Sequence, residues 1–131
     1  MPIEIHFDGN KKVSAVIDGF TIKTDQTIPS GGENSAPTPF NLFLASLGTC
    51  AGIYVKSFCD QRGIGTDNIR IEMDYVYDQT QKMIVKFIML IYMPADFPEQ
   101  YEAAVIKTAS LCAVKRHLNP AIENDIKIVR Q

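Results

Sequence analysis

The stretch TPFNLFLASLGTCAGIYVKSFCDQRGIG, residues 38–65, predicts a long helix at the centre of the fold. Thr38 is a suitable N-cap, and Pro39 suits the first helical position because proline lacks the N–H that this position leaves unbonded. The helix is expected to run to about Gln61, since the following RGIG segment offers a glycine for the C-cap. Apolar residues surround most of its circumference, so it must be covered on nearly all sides. We expect either a sheet wrapped around this helix or its burial in a dimer.

The bulk composition is that of one ordinary globular domain, residues 1–131. Hydrophobic residues make up 46% of the chain and charged residues 21%, which argues against disorder. The net charge of −2 and the scattered basic residues provide no positive field for a nucleic-acid backbone. Nucleic acid is therefore not an expected partner.

From the sequence we expect neither a membrane span nor a signal peptide. The longest apolar run, residues 42–55, covers about 14 residues, fewer than the roughly 20 that a span requires. The N-terminal MPIEIHFDG lacks a basic segment followed by an apolar stretch. We expect a soluble protein in the cytosol, where thiols stay reduced, with no membrane partner.

Strand patterns precede and follow the helix. IEIHF (3–7), KVSAVI (12–17) and FTIKTD (20–25), separated by DGN and DG turns, predict a three-stranded meander. A loop rich in proline and glycine occupies residues 29–39. Behind the helix, residues 68–78 alternate as a strand, and residues 83–93 are more continuously apolar, as in a central strand.

The C-terminal part predicts one more helix and one more strand. Helical periodicity restarts within residues 94–114, and DIKIV (125–129) predicts the last strand. The resulting order is β-β-β-α-β-β-α-β. Helices combined with antiparallel hairpins indicate the α+β class.

Cys50, on the long helix, has two interpretations. Free cysteine is often buried as a small apolar residue, but Gly48 and Gly52 flank this one. The glycines leave room either for a molecule to approach the sulfur or for another helix or strand to pack closely. The residues alone leave both interpretations open.

Cys59 is excluded as a disulfide partner for Cys50. Nine residues of helix separate the two, which places their side chains on opposite faces with a rise of about 13.5 Å. A disulfide requires Cα atoms within about 7 Å. Cys59 lies beside Asp60 and Arg62 near the polar end of the helix, and we interpret it as a bystander.

Cys112 is the other candidate thiol, and sequence spacing neither permits nor forbids its contact with Cys50. Lys115, Arg116 and His117 follow it. Nearby cations lower the pKa of a thiol, whereas a helix C-terminus raises it, so the two local effects on the Cys112 pKa oppose each other. The chain has no C-x-x-C pair, and its two histidines lie far from any local cysteine pair, so we expect no metal site.

Three segments resemble one family. They are GGENSAPTPFNLFLASLGTC (31–50), the helix continuation to RGI (62–64), and SLCAVKRHL (110–118). Together with the element order they resemble the OsmC-like proteins, which are related to organic hydroperoxide resistance proteins. The resemblance implies an OsmC-like fold and an intertwined homodimer in which the long helices are central.

The resemblance also implies a chemistry. Cys50 would be the peroxidatic cysteine that reduces an organic hydroperoxide, and Cys112 the resolving cysteine. An external dithiol reductant would then reduce the disulfide, and no cofactor is expected. The alternative is an OsmC-like dimer that is not a peroxidase and binds a small hydrophobic or thiol ligand at its interface.

Two positions depart from the family's peroxidases. Phe40 and Asn41 stand where these peroxidases usually have a glutamate, and no arginine precedes Arg62. Glu33 is a candidate for the missing carboxylate. Lys23 or Arg116 is a candidate for the missing cation.

Overall fold

The structure is a computed structural model, and it describes residues 2–111, 114, 118 and 127. Its elements in chain order are β1 (Glu4–Phe7), β2 (Val13–Ile17), β3 (Phe20–Thr24), α1 (Pro39–Asp60), β4 (Arg70–Asp78), β5 (Met83–Tyr92) and α2 (Glu102–Ala109), with short 3₁₀ helices at Ile28–Ser30 and Glu99–Tyr101. The α+β class is confirmed. The expected last strand, 125–129, lies outside the described residues.

The chain divides into two compact units, Met1–Ala45 and Ser46–Gln131. The first contains an antiparallel meander in the order β1-β2-β3, which agrees with the expected three strands. The β2–β3 turn contains Asp18 and Gly19, with φ of 48° and 82°. A type I′ turn requires positive φ at both central residues, and its twist suits a hairpin.

The meander is strongly amphipathic. Cross-strand register aligns Ile5, Ala15 and Ile22 on one face, and strand alternation adds Phe7 and Phe20 to it. Phe7 is 86% exposed and Phe20 72% exposed. One face of this sheet is therefore apolar and open to solvent.

A buried carboxylate organises the loop between β3 and α1. Asp25 has no exposed surface, and it accepts hydrogen bonds from the backbone N–H groups of Gln26, Glu33 and Ser35 at 2.7, 3.2 and 3.1 Å. The Ser35 hydroxyl donates a fourth at 2.6 Å. These bonds, that of the hydroxyl first, lower the Asp25 pKa from 3.8 to about 2, because they favour the ionised form.

Helix α1 begins and ends close to the expected residues. The Asn41 N–H donates to the Thr38 hydroxyl oxygen at 3.2 Å, which is the predicted N-cap. The helix ends at Asp60, one residue before the expected end. Gly63 then takes a φ of 66°, and the Ile64 N–H donates to the Cys59 carbonyl at 2.9 Å, as in a Schellman-type C-cap.

The second unit builds its core from one side of α1, the β4–β5 hairpin and α2. Buried residues in contact with one another are Ala51, Val55, Phe58, Cys59, Phe97, Val105 and Ala109. The hairpin pairs Ile71 with Ile91, and partly buried residues of both strands pack against this cluster. Within the described residues β5 pairs only with β4, so its expected place as a central strand stays a prediction.

Helix α1 is covered less completely than its composition requires. Its buried residues lie along one side, whereas Ile53 is 58% exposed and Phe40 49% exposed. By length and composition, α1 is also a candidate membrane span, a test that the core helices of soluble proteins pass as well. Within this single chain the all-round coverage expected from the sequence is absent from the described residues.

Candidate active site on the long helix

An apolar cavity of about 440 Å³ lies in the second unit, among α1, β4, β5 and α2. Among the side chains that line it are Leu47, Ala51, Met73, Met89, Ile106 and Ser110. Its volume falls within the usual range for small-molecule sites, and a few polar groups in an apolar lining are typical of such sites. The cavity can hold a small apolar molecule.

Cys50 lies on α1 directly beside residues of this cavity. Leu47, three residues earlier, and Ala51, the next residue, both contribute to the lining. Residues three apart on a helix are neighbours on its surface, so Cys50 lies next to Leu47, although Cys50 is not itself among the lining residues. Cys50 is half-buried, which leaves part of its side chain accessible. A thiol reacts only if its reaction partner can reach it, so access of this kind is a condition for reactivity.

Cys59 has the opposite character. It has no exposed surface and belongs to the core cluster, rather than to the polar end of the helix. Burial, and then the charge of Asp60, raise the pKa of its thiol, and Lys56 and Arg62 lower it by less. Cys50 and Cys59 share one continuous helix, which agrees with the argument that they cannot pair. Cys59 is therefore a residue of the hydrophobic core, in agreement with its interpretation as a bystander to the reactive thiol.

The glycines beside Cys50 do not open a path to its sulfur. A Cβ atom at Gly48 or Gly52 would meet nothing within 4 Å, so the space beside them is open. Each lies two residues from Cys50, however, which places it about 200° away around the helix. The open space is on the other side of α1, where it favours the alternative interpretation, close approach of another element.

Arg62 completes a cluster at the end of α1 that the sequence did not indicate. Its guanidinium carbon lies 3.6 Å from the centre of the Phe58 ring and 5.4 Å from that of Tyr101. Its Nη1 donates to the Phe58 carbonyl at 3.1 Å. The four-residue spacing between Phe58 and Arg62 was the available signal, because such a spacing brings two side chains together along a helix and its C-terminal turn.

The sequence profile of the family described as OsmC-like protein matches residues 32–127. The chain belongs to the OsmC-like protein family. The matched range contains both Cys50 and Cys112, and it confirms the resemblance seen in the sequence. A comparison with curated protein sequences returns no match.

Solved structures show the same fold. One, from Psychrobacter arcticus 273-4 and named for osmotic stress induction and a detoxification response, has a TM-score of 0.75 and 18% identity, over 90% of this chain and 88% of that one. An organic hydroperoxide resistance protein OsmC from Legionella pneumophila, also named as a predicted redox protein and regulator of sulfide bond formation, has a TM-score of 0.58 and 17% identity, over 91% and 88%. The OsmC-like fold is thereby confirmed.

Glu33 of this OsmC-like protein forms an ion pair with Lys12. Its carboxylate lies 3.0 Å from the ammonium of Lys12, and this pair raises the Lys12 pKa, through the hydrogen bond first and then the charge of Glu33. Lys23, one of the two candidates for the missing cation, lies on β3 opposite Ser14. All these residues belong to the first unit, and a role for Glu33 or Lys23 at the thiol stays a prediction. The doublet Lys11–Lys12 after the first turn was the only sequence signal for the pair.

Two of the predicted site residues of this OsmC-like protein lie outside the described residues. They are Cys112, the expected resolving cysteine, and Arg116, one of the two candidate cations. Helix α2 is described as far as Ala109 and carries Ile106 and Ala109 at the cavity. The assignment of Cys112 therefore rests on the resemblance.

Proposed function

We propose that this OsmC-like protein reduces organic hydroperoxides by a thiol-dependent, two-cysteine reaction. The observation that carries the proposal is the position of Cys50, half-buried on α1 next to Leu47 and Ala51, which line a mainly apolar cavity of about 440 Å³. Membership of the OsmC family supports a role in redox or stress chemistry. An apolar cavity favours an organic hydroperoxide over hydrogen peroxide, because the organic group loses water-exposed apolar surface on entry.

In the first step the Cys50 thiolate attacks the distal oxygen of the hydroperoxide. An S–O bond forms and the O–O bond breaks. The leaving alkoxide takes a proton and departs as an alcohol, and the sulfur becomes a sulfenic acid. The sulfur is oxidised by two electrons and the peroxide is reduced by two.

In the second step the Cys112 thiolate attacks the sulfenic sulfur. An S–S bond forms, the S–O bond breaks, and the oxygen leaves as water after protonation. An external dithiol then returns both cysteines to thiols by disulfide exchange and is itself oxidised. We place the reaction in the cytosol, where dithiol reductants keep thiols reduced.

We infer that the working protein is a homodimer. The apolar face of the β1–β3 sheet and the exposed side of α1 both carry large apolar side chains, among them Phe7, Phe20 and Ile53. Large exposed apolar patches usually mark interaction surfaces. The open space at Gly48 and Gly52 permits a second backbone to approach α1 closely.

The test is consumption of cumene hydroperoxide in the presence of dithiothreitol. Wild type should turn over, and Cys50→Ser should fall to the rate of the reaction without protein. Cys112→Ser should retain a single turnover and lose sustained turnover. Cys59→Ala is the matched control on the same helix and should retain activity, since its thiol is buried in the core. Equal rates for wild type and Cys50→Ser would refute the proposal.

A second candidate function, binding of a small apolar or thiol-containing molecule without turnover, is favoured by the same cavity. Native mass spectrometry of the purified protein separates the two candidates. A retained small molecule together with no hydroperoxide consumption supports binding alone. An empty protein with rapid, Cys50-dependent consumption supports the peroxidase.

A further inference from the structure

Two methionines face each other across the β4–β5 hairpin at the cavity. Met73 and Met89 are directly opposite in the strand register, and both line the cavity. Both are half-buried, and Met89 packs against the core cluster beneath α1. Two thioether side chains thus line the space that a bound molecule would occupy.

We propose that Met73 and Met89 form an oxidation site for apolar hydroperoxides. The inference rests on the proposed function only for the class of oxidant. The thioether sulfur attacks the distal oxygen of the hydroperoxide, an S–O bond forms and the O–O bond breaks, and the organic product leaves as an alcohol after taking up the proton. The sulfur is oxidised by two electrons to a sulfoxide, and the hydroperoxide supplies the oxygen.

The cavity makes this site selective for the type of oxidant. Its lining is mainly apolar, so an organic hydroperoxide concentrates there while hydrogen peroxide remains in water. Met83, by contrast, is 53% exposed at the hairpin end of β5 and meets any oxidant from solution. Exposure alone therefore predicts that Met83 is oxidised first, whereas the cavity predicts that Met73 and Met89 are preferred by apolar oxidants.

Oxidation would change the cavity itself. A sulfoxide converts a flexible apolar side chain into a polar, chiral one and disrupts apolar packing. An oxidised Met73 or Met89 lowers the affinity of the cavity for apolar molecules. Sulfoxide reductases convert methionine sulfoxide back to methionine. Oxidation therefore limits the binding of apolar molecules in the cavity reversibly.

The experiment compares two oxidants on the Cys50→Ser protein, in which the proposed thiol reaction cannot consume them. Peptide mass spectrometry follows the added oxygen at each methionine over time. With hydrogen peroxide, Met83 should lead. With cumene hydroperoxide, the rate of oxidation of Met73 and Met89 relative to that of Met83 should be about tenfold higher than with hydrogen peroxide. Burial of part of the cumyl group in the cavity is enough to account for a factor of this size. If Met83 is oxidised ahead of Met73 and Met89 by the same margin with both oxidants, the inference is overturned.

A pair of variants on α2 tests the route through the cavity. Ile106 lines the cavity and is 66% exposed, so Ile106→Trp fills space without entering the packed core. This variant should lose the preference with cumene hydroperoxide and keep the order seen with hydrogen peroxide. Lys107→Trp, one residue along the same helix, should keep the preference. A preference unchanged in Ile106→Trp would also overturn the inference.

The outcomes separate this inference from the proposed function. Wild type that fails to consume hydroperoxide, while Cys50→Ser still shows the preference at Met73 and Met89, refutes the peroxidase and supports the oxidation site. Rapid Cys50-dependent consumption without any preference at the methionines supports the peroxidase and refutes the oxidation site.

Discussion

The hydroxyl of Ser35 donates a hydrogen bond of 2.6 Å to the carboxylate of Asp25, ten residues earlier in the chain. Three backbone N–H groups donate to the same carboxylate, and Asp25 has no exposed surface. The ionised carboxylate thus fixes both ends of the loop that leads to α1. A neutral carboxyl would accept these bonds less strongly, so the order of this loop depends on the charge.

Stability should fall in acid through Asp25. Its pKa is about 2 in the folded protein and 3.8 ordinarily. A lowered folded pKa gives stability that is present above the unfolded pKa and is lost as the pH falls towards the folded one. We expect this contribution to disappear between about pH 4 and pH 2. Thermal unfolding of wild type and Asp25→Asn from pH 6 to pH 2.5 measures it.

The Asp25→Asn protein should show a smaller decline over this range. At pH 6 its Tm should be lower than that of wild type by roughly 3–6 °C, because an amide cannot accept all four hydrogen bonds as a carboxylate does. Asp18→Asn, in the exposed β2–β3 turn, is the control and should follow the wild-type profile. Parallel pH profiles for wild type and Asp25→Asn would contradict this explanation.

Gly32 should tolerate no side chain. A Cβ atom there would collide with the backbone of Gln26, whose carbonyl accepts a hydrogen bond from the Asn34 N–H in the same loop. We expect Gly32→Ala to lower the free energy of unfolding by about 1–3 kcal/mol, as overpacking does. Urea denaturation provides the measurement.

Gly65→Ala is the matched control for Gly32→Ala. A Cβ atom at Gly65 meets nothing within 4 Å, and the residue does not have a left-handed φ. Its replacement should be neutral or stabilise by up to about 1 kcal/mol, because alanine restricts the unfolded chain. Equal destabilisation by the two substitutions would show that the contact at Gly32 is not the cause.

Cys50 should be alkylated faster than Cys59 at neutral pH. Cys50 is half-buried, whereas Cys59 is fully buried and burial raises the pKa of its thiol, so less of the reactive thiolate is present. Iodoacetamide labelling with a peptide mass readout, repeated from pH 6 to pH 9, measures both rates in one sample. Repetition in urea is the control, since unfolding should remove the difference. Equal rates in the folded protein would contradict the assignment of Cys59 to the core.

The sequence predicted the helices and strands of the described residues well because their signals are local. Capping at Thr38 and the apolar periodicity of α1 depend on residues within one element. The partners of site residues could not be predicted in the same way. Glu33 pairs with Lys12 across 21 positions, and Asp25 gathers donors from a loop without periodicity. Such contacts depend on the path of the folded backbone, which pattern and propensity do not contain.

Arg62 should stabilise the end of α1 through its planar guanidinium. It stacks on the Phe58 ring at 3.6 Å and donates to the Phe58 carbonyl. We expect Arg62→Ala to lower the free energy of unfolding by about 1 kcal/mol, the usual size of such a contact near the surface. Arg62→Lys should recover only part of this loss, because an ammonium does not stack. Full recovery in Arg62→Lys, measured by urea denaturation, would mean that charge alone matters.

The apolar face of the β1–β3 sheet should control assembly of the proposed dimer. Phe20 is 72% exposed on this face, and its neighbour Thr21 points to the opposite face. In a symmetric dimer Phe20→Gln removes two apolar contacts, each worth about 1.5–3 kcal/mol if fully buried, so the dissociation constant should rise about 100-fold or more.

Thr21→Gln places the same side chain on the polar face and should leave the dissociation constant unchanged. Sedimentation equilibrium over a wide concentration range measures both variants beside wild type. Circular dichroism shows whether each still folds, which separates a lost interface from a lost sheet. A wild-type protein that is monomeric throughout, or equal dissociation constants for folded Phe20→Gln and Thr21→Gln, would exclude this face as the dimer interface.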